Sequence, residues 1–360
     1  MSNNNFFLSN ILNSKKKLQF HYANPTDNTL RIDANQSIIT VFEYDDTSVN
    51  QYNLSEVGEC EKFINSEKNI WINIDGLRRS DIKNVCAMFS IDPLIEEDIL
   101  SVGQRSKYDA FDNFIYSLMY MLSYNKTHEV LNKEQISLVL GKKFVLTFQD
   151  DPERDAFGKV RQRLLNKTNK MQQYGIDFLY YSLVDAIVDD YFVMMDIFGE
   201  KVEKSEDAIL QNKYRIDLPT LLLRKEIMIL RHVIYAARDV VSNLIKNDNN
   251  SFQPKTERYL KDVYDHIFQA TEMVENYREG MANLQDLYMN NENLKMNESM
   301  KIMAIVTCLL APASVIGGTF GMNFTHIPFL QDKYGFYVAV AFMLLIPAWM
   351  IYVFKKRGWF

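Results

Sequence analysis

The chain has 360 residues, of which 24% are charged, and its formal net charge is −6. This length and charge content indicate a mostly water-exposed protein with room for two or three domains. The negative balance argues against a nucleic-acid partner, because binding to phosphates needs clustered Lys and Arg. The scattered cysteines Cys60, Cys86 and Cys308 form no CxxC pair, so neither a disulfide framework nor a thiolate zinc site is expected.

Residues 1–36 are predicted to be a polar N-terminal segment. The chain begins MSNNNFFLSNILNSKKKLQF, in which polar residues come first and lysines follow a short apolar patch. A secretory signal peptide has the opposite order, with the positive charge ahead of the apolar region. We therefore expect the charge-rich part of the chain to stay in the cytosol.

Residues 37–170 are predicted to form an α/β domain, because β-rich runs alternate with helical ones. The predicted strands are SIITVFEY, NIWINI, NFIYSLMYMLSY, QISLVL and FVLTF, and the predicted helices are LSEVGECEKFI, RSDIKNVCAMF, PLIEEDIL and AFGKVRQRLL. Short turns such as LGKK indicate that the pairing is at least partly antiparallel. Phosphate-loop, dinucleotide and nucleophile-elbow motifs do not occur in the sequence, so a nucleotide-dependent or hydrolytic activity has no motif to support it.

Residues 171–250 are predicted to form a helical hairpin, with helices over 176–211 and 218–247. Pro219 lies in the first turn of the second helix, where proline is tolerated. The first helix carries a run of acidic residues from Asp185 to Asp207. Two interpretations of this run stay open, a solvated helix face or an acidic surface that concentrates cations.

Residues 251–301 are predicted to form a long funnel helix that begins after Pro254 and continues into the first apolar run. Gly280 is a tolerable single glycine within it. Apolar residues at spacings of three and four predict a seam for packing against other helices. The seam consists of Leu260, Val263, Ile267, Ala270, Val274, Tyr277, Met281, Leu284 and Tyr288.

Residues 302–323 and 334–354 contain no charged side chain. Each run is long enough to cross a hydrocarbon core of about 30 Å as a helix, so both are predicted to be transmembrane helices, joined by an extracytoplasmic loop over 324–333. The alternative is a buried helical hairpin, although core helices rarely exceed about 14 residues without a charge. The basic tail over 355–360 places both termini in the cytosol by the positive-inside rule.

A line of residues along the first span differs in kind from its other faces. It consists of Asn290, Asn293, Asn297, Met300, Ala304, Thr307, Ala311, Ser314, Gly318 and Gly321. Small residues let membrane helices approach closely, so helix packing is one explanation. The three asparagines favour a second one, a wet pore. Because one helix cannot enclose a channel, such a pore requires a symmetric oligomer.

Gly321-Met322-Asn323 stands at the end of the first of two C-terminal spans, and the chain ends KKRGWF. In this position the tripeptide resembles that of the CorA family of magnesium channels. The stretches LIEEDILSVGQR, DFLYYSLVDAIVDDYF and YLKDVYDHIFQ are also similar to family segments. The resemblance implies a homopentamer in a prokaryotic plasma membrane, with a cytosolic α/β domain, a helical funnel and two C-terminal spans per subunit.

The resemblance also implies a function, uptake of Mg²⁺, and of Co²⁺ and Ni²⁺, down the electrochemical gradient. Mg²⁺ is then both the transported ion and a regulatory ligand, and no enzymatic activity or organic cofactor is expected. Gly321, Met322 and Asn323 form the selectivity filter, and Gly321 is expected to let the helix end bend. Met300 and Met303 suit a hydrophobic gate within the pore-lining line.

The resemblance assigns regulatory and basic residues as well. Asp98 and Asp262 match an inter-subunit metal site that holds the channel shut, and Glu97 and Asp185 match a weaker second site. Without the resemblance, Asp98 and Asp262 are ordinary surface or helix-capping acids. A basic ring follows the second span and consists of Lys355, Lys356 and Arg357.

Several positions depart from the family pattern. Thr325 and the stretch 327–330 replace acidic loop residues, and Ala311 replaces a bulky methionine, so ion preference and constriction are expected to differ. The zinc-transporting branch of the same superfamily is an alternative, against which Met322 argues. From another class, a membrane-anchored cytosolic enzyme or scaffold is an alternative that expects an interrupted stripe and a catalytic constellation.

Overall fold

The computed structural model describes residues 31–125, 129–151, 157–166, 170–210, 218–246, 251–323, 327–328 and 332–358. The described residues group into two compact units. The first unit draws on residues 1–207 and 217–282, and the second on residues 208–216 and 283–360. The polar segment over 1–30 lies outside the described residues.

A seven-stranded sheet forms the centre of the first unit. Its strands are β1 (Ile38–Tyr44), β2 (Val49–Leu54), β3 (Asn69–Asp75), β4 (Lys107–Ala110), β5 (Phe114–Asn125), β6 (Val130–Gly141) and β7 (Phe144–Gln149). Their order is β2-β1-β3-β7-β6-β5-β4. Strands β3 and β7 pair in parallel, and the other neighbours are antiparallel. The five predicted strands and the partly antiparallel pairing are confirmed.

The sequence did not predict the two edge strands. Strand β2 has a mostly exposed, polar sequence, and β4 has only four residues. Edge strands are covered on fewer sides, so they lack the buried alternation by which a strand is recognised. A prediction from the hydrophobic pattern therefore missed both edge strands.

The helices are α1 (Arg79–Met88), α2 (Pro93–Leu100), α3 (Gly158–Leu165), α4 (Ile176–Leu210), α5 (Leu218–Ile245), α6 (Pro254–Phe320) and α7 (Gly335–Lys356). Each of these helices corresponds to a helix predicted from the sequence. The helix predicted over LSEVGECEKFI is confirmed in part, because Leu54 belongs to β2 and Val57–Phe63 form a 3-10 helix instead of an α-helix. Its buried residues Val57, Cys60 and Phe63 are three apart, which suits the three-residue turn of a 3-10 helix.

Residues 31–36 lie against the sheet domain. The backbone N–H of Arg31 donates to the carbonyl of Leu100 at 3.1 Å, and that of Ala34 donates to Leu77 at 3.0 Å. The Arg31 guanidinium pairs with Asp150 at 2.7 Å. The last residues of the predicted N-terminal segment therefore pack with the α/β domain.

Helix α6 begins at a buried carboxylate. Asp177 of α4 accepts hydrogen bonds from the Gln253 N–H at 2.9 Å and from the Thr256 hydroxyl at 2.6 Å. These bonds satisfy donors at the first turn of α6, where helical N–H groups lack intrahelical partners. Asp177 thereby fixes the start of the long helix on α4.

The predicted seam on α6 is mostly buried, and only Tyr277 and Tyr288 are half-buried. Leu260, Val263, Ile267, Ala270 and Val274 have no exposed surface, and Met281 and Leu284 are also buried. A Cβ atom added at Gly199 of α4 would lie 2.8 Å from the Tyr277 hydroxyl. The glycine therefore leaves room for the Tyr277 hydroxyl, which donates to the Met195 carbonyl at 3.1 Å.

The second unit contains the apolar part of α6 and α7. Among the described residues, these two helices are long and apolar enough to cross a membrane. Helix α6 ends at Phe320, three residues before the predicted end of the first span, and α7 extends to Lys356, past residue 354. Pro312 and Pro347 lie inside the two helices, a position that membrane helices tolerate.

Candidate functional site

The predicted pore-lining residues form one exposed line along α6. Each of Asn290, Asn293, Asn297, Met300, Met303, Ala304, Thr307, Ala311, Ser314 and Gly318 is exposed in the single chain. Met303 is 75% exposed. The Thr307 hydroxyl donates to the Met303 carbonyl at 2.8 Å, which leaves its oxygen able to accept a hydrogen bond.

The opposite face of the same helix packs within the chain. Ile305 is buried, and Leu309, Pro312 and Ile316 are half-buried. Pro312 and Ile316 line an apolar groove shared with α7. At about 100° per residue, these positions lie on roughly the other side of α6 from Ala304, Thr307 and Ser314. Ala311 is at the flank of the line, since it also borders the groove.

Two neighbouring glycines of α6 differ in their contact with α7. A Cβ atom added at Gly317 would lie 3.5 Å from the Met343 Cε atom of α7, an ordinary packing distance. A Cβ atom added at Gly318 would meet nothing within 4 Å. Within one chain, close packing against α7 therefore explains why a small residue is present at Gly317. It does not explain the exposed line that contains Gly318.

The predicted filter lies just beyond the end of α6. The Gly321 N–H donates to the Gly317 carbonyl at 3.0 Å, and the Met322 N–H donates to Thr319 at 3.4 Å. The φ angle of Gly321 lies outside the left-handed region. An added Cβ atom would instead lie 3.2 Å from the Gly317 carbonyl, so the close approach of the backbone favours glycine. Asn323 is exposed.

Other expected features lie at or beyond the edge of the described residues. The basic residues Lys355, Lys356 and Arg357 are exposed at the end of α7. Thr325 and residues 329–330 of the predicted loop lie outside the described residues. The structure therefore bears on the helix ends and not on the loop chemistry.

Two of the predicted regulatory acids lie near each other in one chain. Asp185 of α4 and Asp262 of α6 both act electrostatically on the Tyr181 hydroxyl, whose pKa is raised mainly by burial. Burial raises the pKa of Asp185 to about 6, and the negative charge of Asp189 adds to this effect. Asp262 is 66% exposed and lies 4.0 Å from His266, one turn further along α6.

Asp98 has a different environment, because a lysine already contacts it. The Lys107 ammonium forms an ion pair with the Asp98 carboxylate, whose side chain is only 13% exposed. Burial raises the pKa of Asp98 above its ordinary value, while the hydrogen bond from Lys107 acts in the opposite direction. Glu97, the neighbouring predicted ligand, is exposed on the same helix.

Carboxylates at these positions fit a divalent cation by their chemistry, since hard cations prefer oxygen ligands. Within the described part of the chain, no group of three or more His, Cys, Asp or Glu side chains is arranged to hold a metal ion. Asp98 and Asp262 of one chain are therefore not part of such a group among the described residues. Lys107, which sequence reasoning missed, is the cation that one chain supplies to Asp98 by itself.

The described chain combines an α/β domain, a long helix that ends in an apolar segment and a second apolar helix, and both apolar segments are long enough to cross a membrane. The family described as CorA-like Mg²⁺ transporter protein matches residues 66–356. The chain belongs to this family. It is a family of divalent cation transporters and not of enzymes.

Relatives support this membership over most of the chain. The cobalt/magnesium transport protein CorA of Thermotoga maritima is 34% identical over 323 residues, which cover 89% of this chain and 92% of the relative. The putative metal ion transporter YfjQ of Bacillus subtilis is 29% identical over 291 residues, 81% of this chain and 89% of the relative.

The fold also matches a solved structure. The complete CorA magnesium transporter from Methanocaldococcus jannaschii superposes with a TM-score of 0.75 at 23% identity. The match covers 91% of this chain and all of that structure. It confirms the predicted fold, a large α/β domain followed by a long helix and two C-terminal apolar helices.

Proposed function

We propose that the chain is one subunit of a homopentameric channel that admits Mg²⁺ to a prokaryotic cytosol, with Co²⁺ and Ni²⁺ as further substrates. The observation that carries the proposal is the exposed line of small and polar residues on α6, on the face turned away from α7. A symmetry axis brings one copy of this line from each subunit to a shared channel. Both termini then lie in the cytosol, and membrane lipid surrounds α7.

The chemistry of the filter suits a hydrated ion. Mg²⁺ demands octahedral oxygen coordination and loses water reluctantly. Neutral oxygens from the Asn323 side chain and from the Gly321 backbone accept hydrogen bonds from water in the ion's first shell. Carboxylates at this point would bind a dication too tightly for rapid release. Met322 completes the filter segment.

Transport needs no nucleotide, because the membrane potential supplies the driving force. Moving a charge of +2 inward is favourable by about 4.6 kcal/mol per 100 mV, twice the value for a single charge. Rings of Met300 and Met303 provide an apolar constriction that stops conduction by excluding water. Met300 and Met303 are both exposed on α6, which supports this role.

Regulation by cytosolic Mg²⁺ uses the acids of the first unit. Asp98 of one subunit and Asp262 of its neighbour would hold the cation, and Glu97 and Asp185 would form a weaker second site. A bound divalent cation supplies positive charge between carboxylates that otherwise repel each other. When no cation lies between them, these carboxylates repel each other and therefore favour a looser ring of subunits.

The test is ion flux into liposomes that carry the purified protein, with an imposed potential that is negative inside. Wild-type protein is expected to admit Mg²⁺, and Asn323→Ala is expected to lose most of the flux or its selectivity. Asn291→Ala is a matched control, since this residue lies on the same helix but off the exposed line. Zinc flux without Mg²⁺ flux would favour the zinc-transporting branch, and no divalent flux would overturn the proposal.

A second variant tests the shared axis directly. Gly318→Val adds atoms where one chain has open space, so it should block flux without lowering the stability of the subunit. Gly317→Ala adds a methyl group at ordinary contact distance from α7 and is expected to conduct. Equal flux through both variants would argue that the line containing Gly318 does not face a pore.

A further inference from the structure

Lys107 lies on the edge strand β4, and its ammonium is close to two carboxylates. Its ammonium forms an ion pair with Asp98 of α2 and lies 3.8 Å from the Asp109 carboxylate. It is 6.0 Å from the centre of the Tyr116 ring. The lysine side chain is 33% exposed, so the pair is only partly open to water.

The connection between α2 and β4 holds this lysine in place. Gly103 has φ of 84°, in the left-handed region that favours glycine, and lies within the turn between the two elements. The buried Gln135 amide donates to the Asp98 carbonyl at 3.2 Å. The Tyr120 hydroxyl donates to the Gln104 carbonyl at 2.6 Å. The ion pair is thus built by side chains of the sheet and is not a chance surface contact.

Asp98 needs a cation partner for two physical reasons. Its carboxylate lies in the last turn of α2, where the helix dipole disfavours negative charge. Its side chain is also largely withdrawn from water, and an ionised carboxylate is costly there without compensation. In a single chain, Lys107 supplies the compensating charge.

We propose that Lys107 is a tethered cation that competes with divalent ions for the Asp98 carboxylate. The inference rests on the proposed assignment of Asp98 to the inter-subunit cation site. A divalent ion reaches this carboxylate only by displacing the ammonium, which can turn toward Asp109. Lys107 therefore sets the cation concentration at which the site fills and limits carboxylate repulsion while it is empty.

The test is divalent-ion binding to the purified full-length protein, followed by thermal unfolding in detergent at increasing Mg²⁺ concentrations. An ion that binds only the folded state raises the unfolding temperature once its concentration exceeds the dissociation constant, and the rise then grows with the logarithm of that concentration. Lys107→Met should lower the Mg²⁺ concentration needed for a given rise in unfolding temperature about tenfold, from the usual strength of hydrogen bonds to charged groups. Lys107→Arg, which keeps the charge, should leave it near the wild-type value.

Further variants separate competition from general effects of charge. Lys68→Met removes another Lys–Asp pair, with Asp45 at 2.8 Å, and should not change the Mg²⁺ dependence. Lys107→Met combined with Asp98→Asn should lose the gain that Lys107→Met produces alone. Lys107→Gln serves the same comparison if the methionine variant does not fold.

If Lys107→Met and Lys107→Gln needed the same Mg²⁺ concentration as wild type for a given rise in unfolding temperature, the inference would be overturned, and so it would be by a higher one. A wild-type protein without any Mg²⁺-dependent stabilisation would overturn it too, by removing the site on which it rests. The liposome flux assay is independent of this measurement. Absent flux there refutes the proposed function, whereas intact flux with unchanged binding refutes only the role of Lys107.

Discussion

Asp185→Asn is expected to stabilise the folded protein at neutral and alkaline pH when divalent ions are removed. The ordinary pKa of this carboxyl is 3.8, and in the folded chain burial and the nearby Asp189 raise it to about 6. The folded state above pH 6 therefore holds an ionised carboxylate in an unfavourable place. Asparagine keeps the size and can still accept a hydrogen bond from Tyr181, but it carries no charge.

The magnitude follows from the shift in pKa. Each pKa unit corresponds to about 1.36 kcal/mol, so the full shift amounts to about 3 kcal/mol. Because Asp185 is still partly solvated, we expect about 1–2 kcal/mol after screening. For a chain of 360 residues, each kcal/mol changes the unfolding midpoint by about 1–2 °C. Asp185→Asn should therefore unfold about 1–3 °C above wild type at pH 8.

The sign of the pH dependence is fixed by the raised pKa. Below about pH 4 the carboxyl is protonated in both the folded and the unfolded state, so it costs the wild-type protein no stability. The free energy of unfolding then falls as the pH rises through 6 and the folded state must ionise the buried carboxyl. The stabilisation by Asp185→Asn should consequently vanish on going from pH 8 to pH 4.

The assay is thermal unfolding of the full-length protein in detergent with a chelator, at pH 8, 6 and 4. Glu203→Gln removes an exposed carboxylate from the same helix and is the control, with an expected effect within about 0.5 kcal/mol. Destabilisation at pH 8, or a difference that does not change with pH, would refute the reasoning. Added Mg²⁺ should reduce the difference if Asp185 faces a bound cation.

Two further predictions concern the attachment of α6. Asp177→Ala leaves the Gln253 N–H and the Thr256 hydroxyl without their acceptor and should lower the free energy of unfolding by about 2–4 kcal/mol, visible as a lower thermal midpoint; Asp177→Asn, which keeps an acceptor, should lose less. Desolvation opposes ionisation of Glu275, but hydrogen bonds from Tyr235, Arg231 and Arg278 together lower its pKa to about 2. Glu275→Gln should therefore lower the free energy of unfolding by about 1–2 kcal/mol at pH 7, after allowance for screening. The difference from wild type should shrink as the pH falls below 4.5 toward 2, which unfolding measurements at pH 7 and pH 3 would test.

Element positions were largely decided by local patterns in the sequence. The buried strands β3, β5 and β7 are apolar runs bounded by turns, and the α6 seam repeats at helical spacing over many turns. Uncharged length alone identified the two candidate spans, because a hydrocarbon layer excludes charge regardless of what surrounds it. These are one-dimensional signals, and they hold without knowledge of the fold.

The sequence alone also placed small residues in a line along one face of α6, but it could not say which glycine packs. Gly317 and Gly318 are adjacent and chemically identical. Only the position of α7 assigns the first to a helix contact and the second to open space. The contact depends on where another helix lies, which periodicity within α6 does not contain.

Tertiary structure decided the environment of the acids proposed to bind regulatory Mg²⁺. Asp98 and Asp262 looked alike as acids of helical segments, yet one is withdrawn from water against Lys107 and the other is largely exposed. A short turn returns the chain from α2 to the sheet edge and brings Lys107 to Asp98, whereas α4 must pack on α6 before Asp185 and Asp262 can share a neighbourhood. Charge and burial act through space, so the sequence determined which groups are present, and folding determined which of them compensate each other.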